Sequence, residues 1–209
     1  MMAQAGSASR KTRIQAQNEG LILKAALEAF SAYGFRGATV DQIATNCGLS
    51  KPNLLYYFRR KEDIYIAVLE HTLHDWLEPL RQIDPDGEPI GEITRYIRTK
   101  IKLSRDNPKA SRLFANEILH GATTIGDYLK GPLKALVDEK AAIINRWIAE
   151  GRLNPVDPHH LIFAIWATTQ HYADFEPQVT AVTGNPPDLM QKAEETLTRL
   201  FVEGLRPRS

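Results

Sequence analysis

The sequence predicts an all-α protein of about nine helices, with a helix-turn-helix three-helix unit at the front and a larger helical body behind it. Three observations predict this. Apolar residues recur at helical spacing along most of the 209-residue chain. No alternating apolar–polar run of useful strand length occurs. Clusters of Pro, Gly, Asn and Asp cut the chain into pieces of helix length. An apolar fraction of 43% and a charged fraction of 24% are those of an ordinary globular protein, long enough for one or two small cores.

Ile22, Ala25, Ala26, Ala29, Phe30 and Tyr33 follow one helical face, and Gly34 supplies a natural stop. Thr39 precedes "VDQIATNCG", so its hydroxyl starts a short helix that ends by Gly48. Ser50 caps a third helix, "KPNLLYYF", with Pro52 in the first turn, where proline is tolerated. A longer helix runs from about Lys61 to Ile83 and ends in the breaker cluster "DPDGEP". Further helices are predicted at roughly 89–106, 109–120, 124–150, 157–175 and 187–204, separated by Pro108, "GATTIG", "GRLNPVDP" and "TGNPPD". The domain division is a flexible basic arm at 1–15, a helix-turn-helix DNA-binding domain at 16–60, and a ligand-binding and dimerisation domain at 61–209.

Net charge is +1, but it is unevenly spread. Residues 1–62 carry nine Lys/Arg against four Asp/Glu, a balance of +5; the remainder carries seventeen against twenty-one, a balance of −4. A basic front joined to an acidic body places a polyanionic partner at the N-terminal end only. The single Cys47 excludes an internal disulfide. With no apolar run of bilayer length and no signal-peptide core in "MMAQAGSASRKTRIQAQ", the expectation is a cytoplasmic protein.

The most specific signal is "TVDQIATNCGLSKPNLLYYFRRKEDI". Two short helices joined by "NCGLS" make a helix-turn-helix, with Gly48 where the turn needs an unusual backbone angle. Lys51, Asn53 and Tyr57 of the second helix are expected toward solvent, able to reach base edges or phosphates. Thr39 and Lys61 flank it at positions suited to phosphate oxygens, and Arg10, Lys11 and Arg13 form an arm that can lie along DNA. Leu54, Leu55, Tyr56 and Phe58 are expected in the core rather than at the contact.

"AYGFRGATV", then "IA" and "GLSKPNLLYYFRRKE", in this order and spacing, resemble the TetR family of one-component transcriptional regulators. The resemblance implies a homodimer that places its two recognition helices in successive major grooves of a partly palindromic operator. It also implies Thr39, Lys51, Asn53, Tyr57 and Lys61 as the DNA-contacting residues. If six to ten phosphates per dimer are neutralised, affinity falls by about 10³–10⁵ between 50 and 200 mM salt.

In the body, the helix of residues 61–83 leads out of the DNA-binding unit and is the expected lever between the two. Its His71 and His74 have metal-ligand spacing but no third ligand, so packed or surface histidines are the default. On the segment "FAIWATTQHYADF", Phe163, Trp166, Ala167, Gln170, His171 and Asp174 fall on one helical stripe, apolar at one end and polar at the other. Leu161, Ile165, Thr168 and Tyr172 form a second stripe. Three uses compete for the mixed stripe. His171 and Asp174 can pair along the helix; the polar groups can pair across a dimer axis; or the stripe can line a small-molecule pocket. In the last case Gln170 both donates and accepts, which favours a flat ligand with adjacent N–H and C=O groups, stacked on Trp166 or Trp76.

"LLYYF", "YIAVL", "SRDNPKASRLF", "LKALVDEK" and "DPHHLIFAIWATTQHYADFEPQVTAVTG" further resemble the pyrimidine-utilisation regulators of the same family. That resemblance implies uracil or thymine as an effector that releases the protein from DNA, with Trp76, Trp166, Gln170, His171 and Asp174 as its pocket. It implies a repressor and no cofactor. Asn116 and His120 stand where a more apolar wall is expected, and if inward they suit a different or larger heterocycle. Three alternatives remain: a repressor sensing another heterocyclic or apolar effector, a body that binds a protein partner, and an enzyme using His171 and Asp174. The last lacks any accompanying nucleophile, phosphate loop or metal set.

Overall fold

The computed structural model describes residues 3–207, with side chains described from Ile14 onward. Every regular element among the described residues is helical. The chain divides into two compact units within one helix, between His71 and Thr72.

The first unit contains α1 (Ala3–Gly37), α2 (Val40–Asn46), α3 (Lys51–Tyr57) and the beginning of α4 (Lys61–Arg81). Ile22, Ala25, Ala26, Ala29 and Phe30 are buried, as their spacing predicts. Tyr33, next in the series, is exposed, because the helix breaks one residue later at Gly34, whose φ of 68° only glycine adopts without strain. Phe30, Phe35 and Tyr65 then close an aromatic cluster, with Tyr65 5.1 Å from Phe30 and 4.9 Å from Phe35 between ring centroids. The side chains of Arg10, Lys11 and Arg13, assigned above to a basic arm, lie outside the described residues.

The second unit holds the rest of α4, then α5 (Pro89–Asp106), α6 (Pro108–Leu119), α7 (Gly126–Tyr128), a π-helical turn (Leu129–Leu133), α8 (Lys134–Ala149), α9 (Pro158–Asp174), α10 (Glu176–Thr183) and α11 (Leu189–Leu205). α5 lies at its centre, packed against both α9 and α11, and α9 packs also against α6 and α8. Ile93, Ile97, Trp147, Ile162 and Ile165 form the most deeply buried core. The single helix predicted at 124–150 is divided instead. Pro132 has no N–H to continue an i→i−4 ladder, and the backbone widens into the π turn around it. α10 was not among the predicted helices: its β-branched residues and Pro177 carry no clear helical stripe.

Candidate DNA interface and effector site

Local chemistry fixes the helix-turn-helix. Gln42 N donates to Thr39 Oγ1 at 3.2 Å, while Thr39 N donates to Gln42 Oε1 at 2.9 Å, a reciprocal cap that opens α2. Gly48 turns the chain with φ 71°, and Leu49 N donates to Ala44 O at 3.0 Å. Ser50 Oγ accepts from Asn53 N at 3.3 Å and starts α3, with Pro52 in its first turn. Ile43, Ala44, Leu54 and Phe58 are buried and hold the two helices together.

Thr39, Lys51 and Asn53 are exposed, and Tyr57 is half-buried. The Lys51 ammonium lies 2.8 Å from Asp41 Oδ2, and the Tyr57 hydroxyl accepts from Asn18 Nδ2 at 2.8 Å. Lys61 is more committed. Its ammonium donates to Phe35 O at 2.7 Å and Ala38 O at 3.0 Å, and lies 4.6 Å from the Phe35 ring centroid. Tyr56 corrects the sequence expectation. It is 75% exposed, because the α3 core is completed by Leu54 and Phe58, and it stands edge-on to Tyr57. Tyr56 therefore joins Lys51, Asn53 and Tyr57 on the exposed part of α3.

In the second unit, α9 buries Leu161, Ile162, Ile165, Thr169 and Ala173. Trp166, Gln170 and Asp174, one turn apart, run along the edge of that face and are half-buried. Across from them α5 brings Tyr96 and Lys100, both 2% exposed, and α4 brings the buried Trp76. Trp166 Nε1 donates to the Tyr96 hydroxyl at 2.5 Å. The Lys100 ammonium lies 4.0 Å from the Trp76 ring centroid. Ser111, 1% exposed on α6, donates its hydroxyl to Asp174 Oδ1. These contacts make one polar-lined seam in which Trp166 meets Tyr96, Asp174 meets Ser111 and Lys100 lies on Trp76, while Gln170 is half-buried one turn from Trp166 on α9.

Electrostatics within this seam follow from burial. Desolvation lowers the Lys100 pKa to about 7, with the Asp174 carboxylate opposing the shift. Desolvation raises the Asp174 pKa, opposed by the Ser111 hydroxyl and by the charges of Lys100, Arg112 and His171. Burial likewise pushes the Tyr96 phenol up, against the hydrogen bond from Trp166.

His171 is set apart. It is exposed and stacks on Phe175, with centroids 5.0 Å apart and planes at 24°. Phe163 and Ala167, on the same predicted stripe, are also exposed, so that stripe is divided between the seam and the outer surface. Asn116 and His120 do not supply an inner wall: both are exposed, and His120 Nδ1 turns back to 2.7 Å from Asn116 O. No group of three metal-ligating side chains occurs among the described residues. Lys100 also carries a signal in the sequence. Ile93, Tyr96, Ile97, Lys100, Ile101 and Ser104 form a single buried stripe, and a lysine in such a stripe needs a reason.

Comparison with known proteins matches both parts of the chain to described families. Residues 22–68 match the family described as bacterial regulatory proteins, tetR family, and residues 69–208 match the YcdC-like protein, C-terminal region. The HTH-type transcriptional regulator RutR of Escherichia coli K12 is 50% identical over 202 residues, covering 95% of each chain, and that of Shigella flexneri matches equally. Among solved structures, the ketosteroid transcriptional regulator KstR2 of Mycobacterium tuberculosis superposes with a TM-score of 0.70 at 19% identity, covering 91% of this chain and 95% of that one. AibR, in complex with isovaleryl coenzyme A and operator DNA, gives 0.67 at 19% identity over 88% and 97%. At those identities the structures share the fold alone. No described helix is long and apolar enough to cross a membrane. The chain belongs to the TetR family of DNA-binding transcriptional regulators and is not an enzyme.

Proposed function

We propose that the chain is a homodimeric repressor of pyrimidine utilisation, released from its operator by uracil or thymine. The observation that carries this is the seam between α5 and α9. It combines two indole rings, Trp76 and Trp166, with the free amide of Gln170, the Lys100 ammonium and the Asp174 carboxylate. A flat ring with alternating N–H and C=O groups satisfies such a set, stacking on an indole while its edges exchange hydrogen bonds. Half-identity to RutR along nearly the full chain supports the same effector class.

The exposed faces support a second copy as partner. Phe163 on α9, Phe175 between α9 and α10, Val182 on α10 and Leu200 on α11 are 49%, 52%, 80% and 63% exposed, large apolar side chains that a second copy could cover. On the DNA side, Thr39, Lys51, Asn53 and Tyr57 are the proposed contacts, with Lys61 contributing charge from its internal position. Release requires the effector to bind the DNA-incompetent arrangement more tightly than the competent one. A ring of about eight heavy atoms gains at most about 12 kcal/mol, and after the conformational cost micromolar affinity is expected.

Thermal-shift measurements with uracil, thymine, cytosine and hypoxanthine, paired with operator mobility shifts, test the proposal. Stabilisation by uracil or thymine together with loss of the operator complex is the expected result. No shift with either at millimolar concentration would sink it.

A further inference from the structure

Two polar side chains of α3 are already held by other helices of the first unit, and they are held in opposite ways. Lys51 gives its ammonium to the Asp41 carboxylate on α2, so a phosphate has to compete for it. Tyr57 is held from α1. Asn18 stands four residues before Ile22 and seven before Ala25, so it continues the buried stripe of α1 toward the N-terminus and ends it with an amide. That amide is half-buried, and its Nδ2 donates to the Tyr57 hydroxyl oxygen at 2.8 Å. The Tyr56 ring stands edge-on to the same phenol, with centroids 5.5 Å apart and planes at 89°. The Tyr57 ring is thus braced at its hydroxyl from α1 and along its flank by its neighbour. A phenol has one proton to give and lone pairs to receive. Asn18 fills a lone pair, and no acceptor among the described residues takes the proton. An N–H donated into a hydroxyl also polarises its O–H, which strengthens the next bond that the hydroxyl makes.

We propose that Asn18 is a positioning residue for the DNA contact of Tyr57: it aims the phenol O–H at a backbone phosphate oxygen before DNA arrives. The phenol donates to that oxygen in a charge-assisted bond, while the Asn18 N–H keeps the ring from swinging. A side chain ordered in the free protein removes part of the conformational cost that binding otherwise carries. α1 in this way raises operator affinity at this position without itself meeting the phosphate. Both groups are neutral, so no counterion is released on their account, and the Asn18 contribution does not depend on salt as that of Lys51 does. The proposal rests on Tyr57 as a DNA contact, put forward above, and adds the residue through which α1 controls it.

A double-mutant cycle on the full-length protein tests it, read by fluorescence anisotropy on a DNA duplex that the wild-type protein selects from a random-sequence pool. Tyr57→Phe is expected to weaken binding about tenfold, since the charge-assisted bond is lost while the ring stays. Asn18→Ala is expected to weaken it about three- to tenfold, with the salt slope of log K equal to that of wild type. The double variant is expected to bind within about twofold of Tyr57→Phe, because Asn18 acts only through the hydroxyl. Thermal melts check that each variant folds, and Asn18→Ser, too short to reach the phenol, gives the same comparison where alanine unfolds the unit. Losses that add in full overturn the proposal and make Asn18 a DNA contact or a structural residue in its own right. A folded Asn18→Ala that binds like wild type, or one with a changed salt slope, overturns it as well. Tyr57→Phe that binds like wild type overturns the Tyr57 contact itself.

Discussion

Lys51 on the recognition helix and Asp41 on the helix before it form an ion pair of 2.8 Å, both side chains more than half exposed or at half exposure. A DNA phosphate that takes the Lys51 ammonium must displace Asp41 or share the lysine with it. Exposed pairs of this kind are weak, so the competition is mild but measurable. Asp41→Asn is expected to raise operator affinity about two- to fivefold at low salt, an advantage that shrinks as salt rises. Unchanged or weaker binding at 50 mM salt would show that Lys51 does not meet the backbone.

Removing the recognition groups has the opposite effect. Lys51→Ala is expected to weaken operator binding and to reduce the salt slope of log K by about 2 for a dimer that loses one phosphate contact per subunit. Tyr57→Phe separates the hydroxyl's hydrogen bond to Asn18 from the ring's own contribution, which Tyr57→Ala removes along with it. In each variant the uracil-induced thermal shift is expected to be retained.

Gln170→Ala is the reciprocal experiment. Operator affinity is expected to match wild type, while uracil no longer dissolves the complex in a mobility shift. A normal uracil response from this variant rules out amide recognition by Gln170.

Trp166→Phe probes the seam's internal bond. The buried Tyr96 hydroxyl loses the indole N–H that donates to it at 2.5 Å. Leaving a buried polar group without its partner costs about 1–3 kcal/mol, which lowers the Tm by roughly 3–9 °C for a unit of this size. Calorimetry of the effector-free protein measures it. A Tm equal to wild type would mean that solvent reaches Tyr96.

Lys100 also gives stability a pH dependence. Its folded pKa of about 7 lies below the ordinary 10.5, so between those values the unfolded chain carries the extra proton. Stability from this group therefore rises as pH increases from about 7 toward 10.5 and is lost as pH falls back through that window. Asp174, with its pKa raised, works with the opposite sign in the acidic range, where its protonated form favours the fold. Urea midpoints at pH 7 and 9.5 are expected to differ less in Lys100→Met than in wild type. Equal differences would place the lysine in contact with water.

What could be read from the sequence was whatever short-range chemistry decides. The Thr39 and Ser50 caps, Pro52 in a first turn and the positive φ at Gly48 each depend on a few adjacent residues, and the helix-turn-helix follows from them. Tyr56 was harder, because an aromatic in an apolar run reads as core until Leu54 and Phe58 are known to complete it. α9 shows the limit more clearly. Its composition marked a polar-lined helix, but which edge faces inward depends on α5 and α6, and that decision separates Asp174 from its neighbour His171. Lys100 and Ser111 complete the seam from 74 and 63 positions upstream of Asp174 in the sequence, distances over which no local pattern carries information. A lysine also reads as solvated by default, and only its place in a buried stripe argues otherwise.

The Lys61 ammonium, bound to two carbonyls at the end of α1 and lying on the Phe35 ring, fastens the start of α4 to the corner that precedes α2. A rotation of the first turn of α4 would have to break or carry these contacts with it. The Lys61 ammonium and the Tyr65 ring, one turn apart, together make this junction a joint fixed both by charge and by packing.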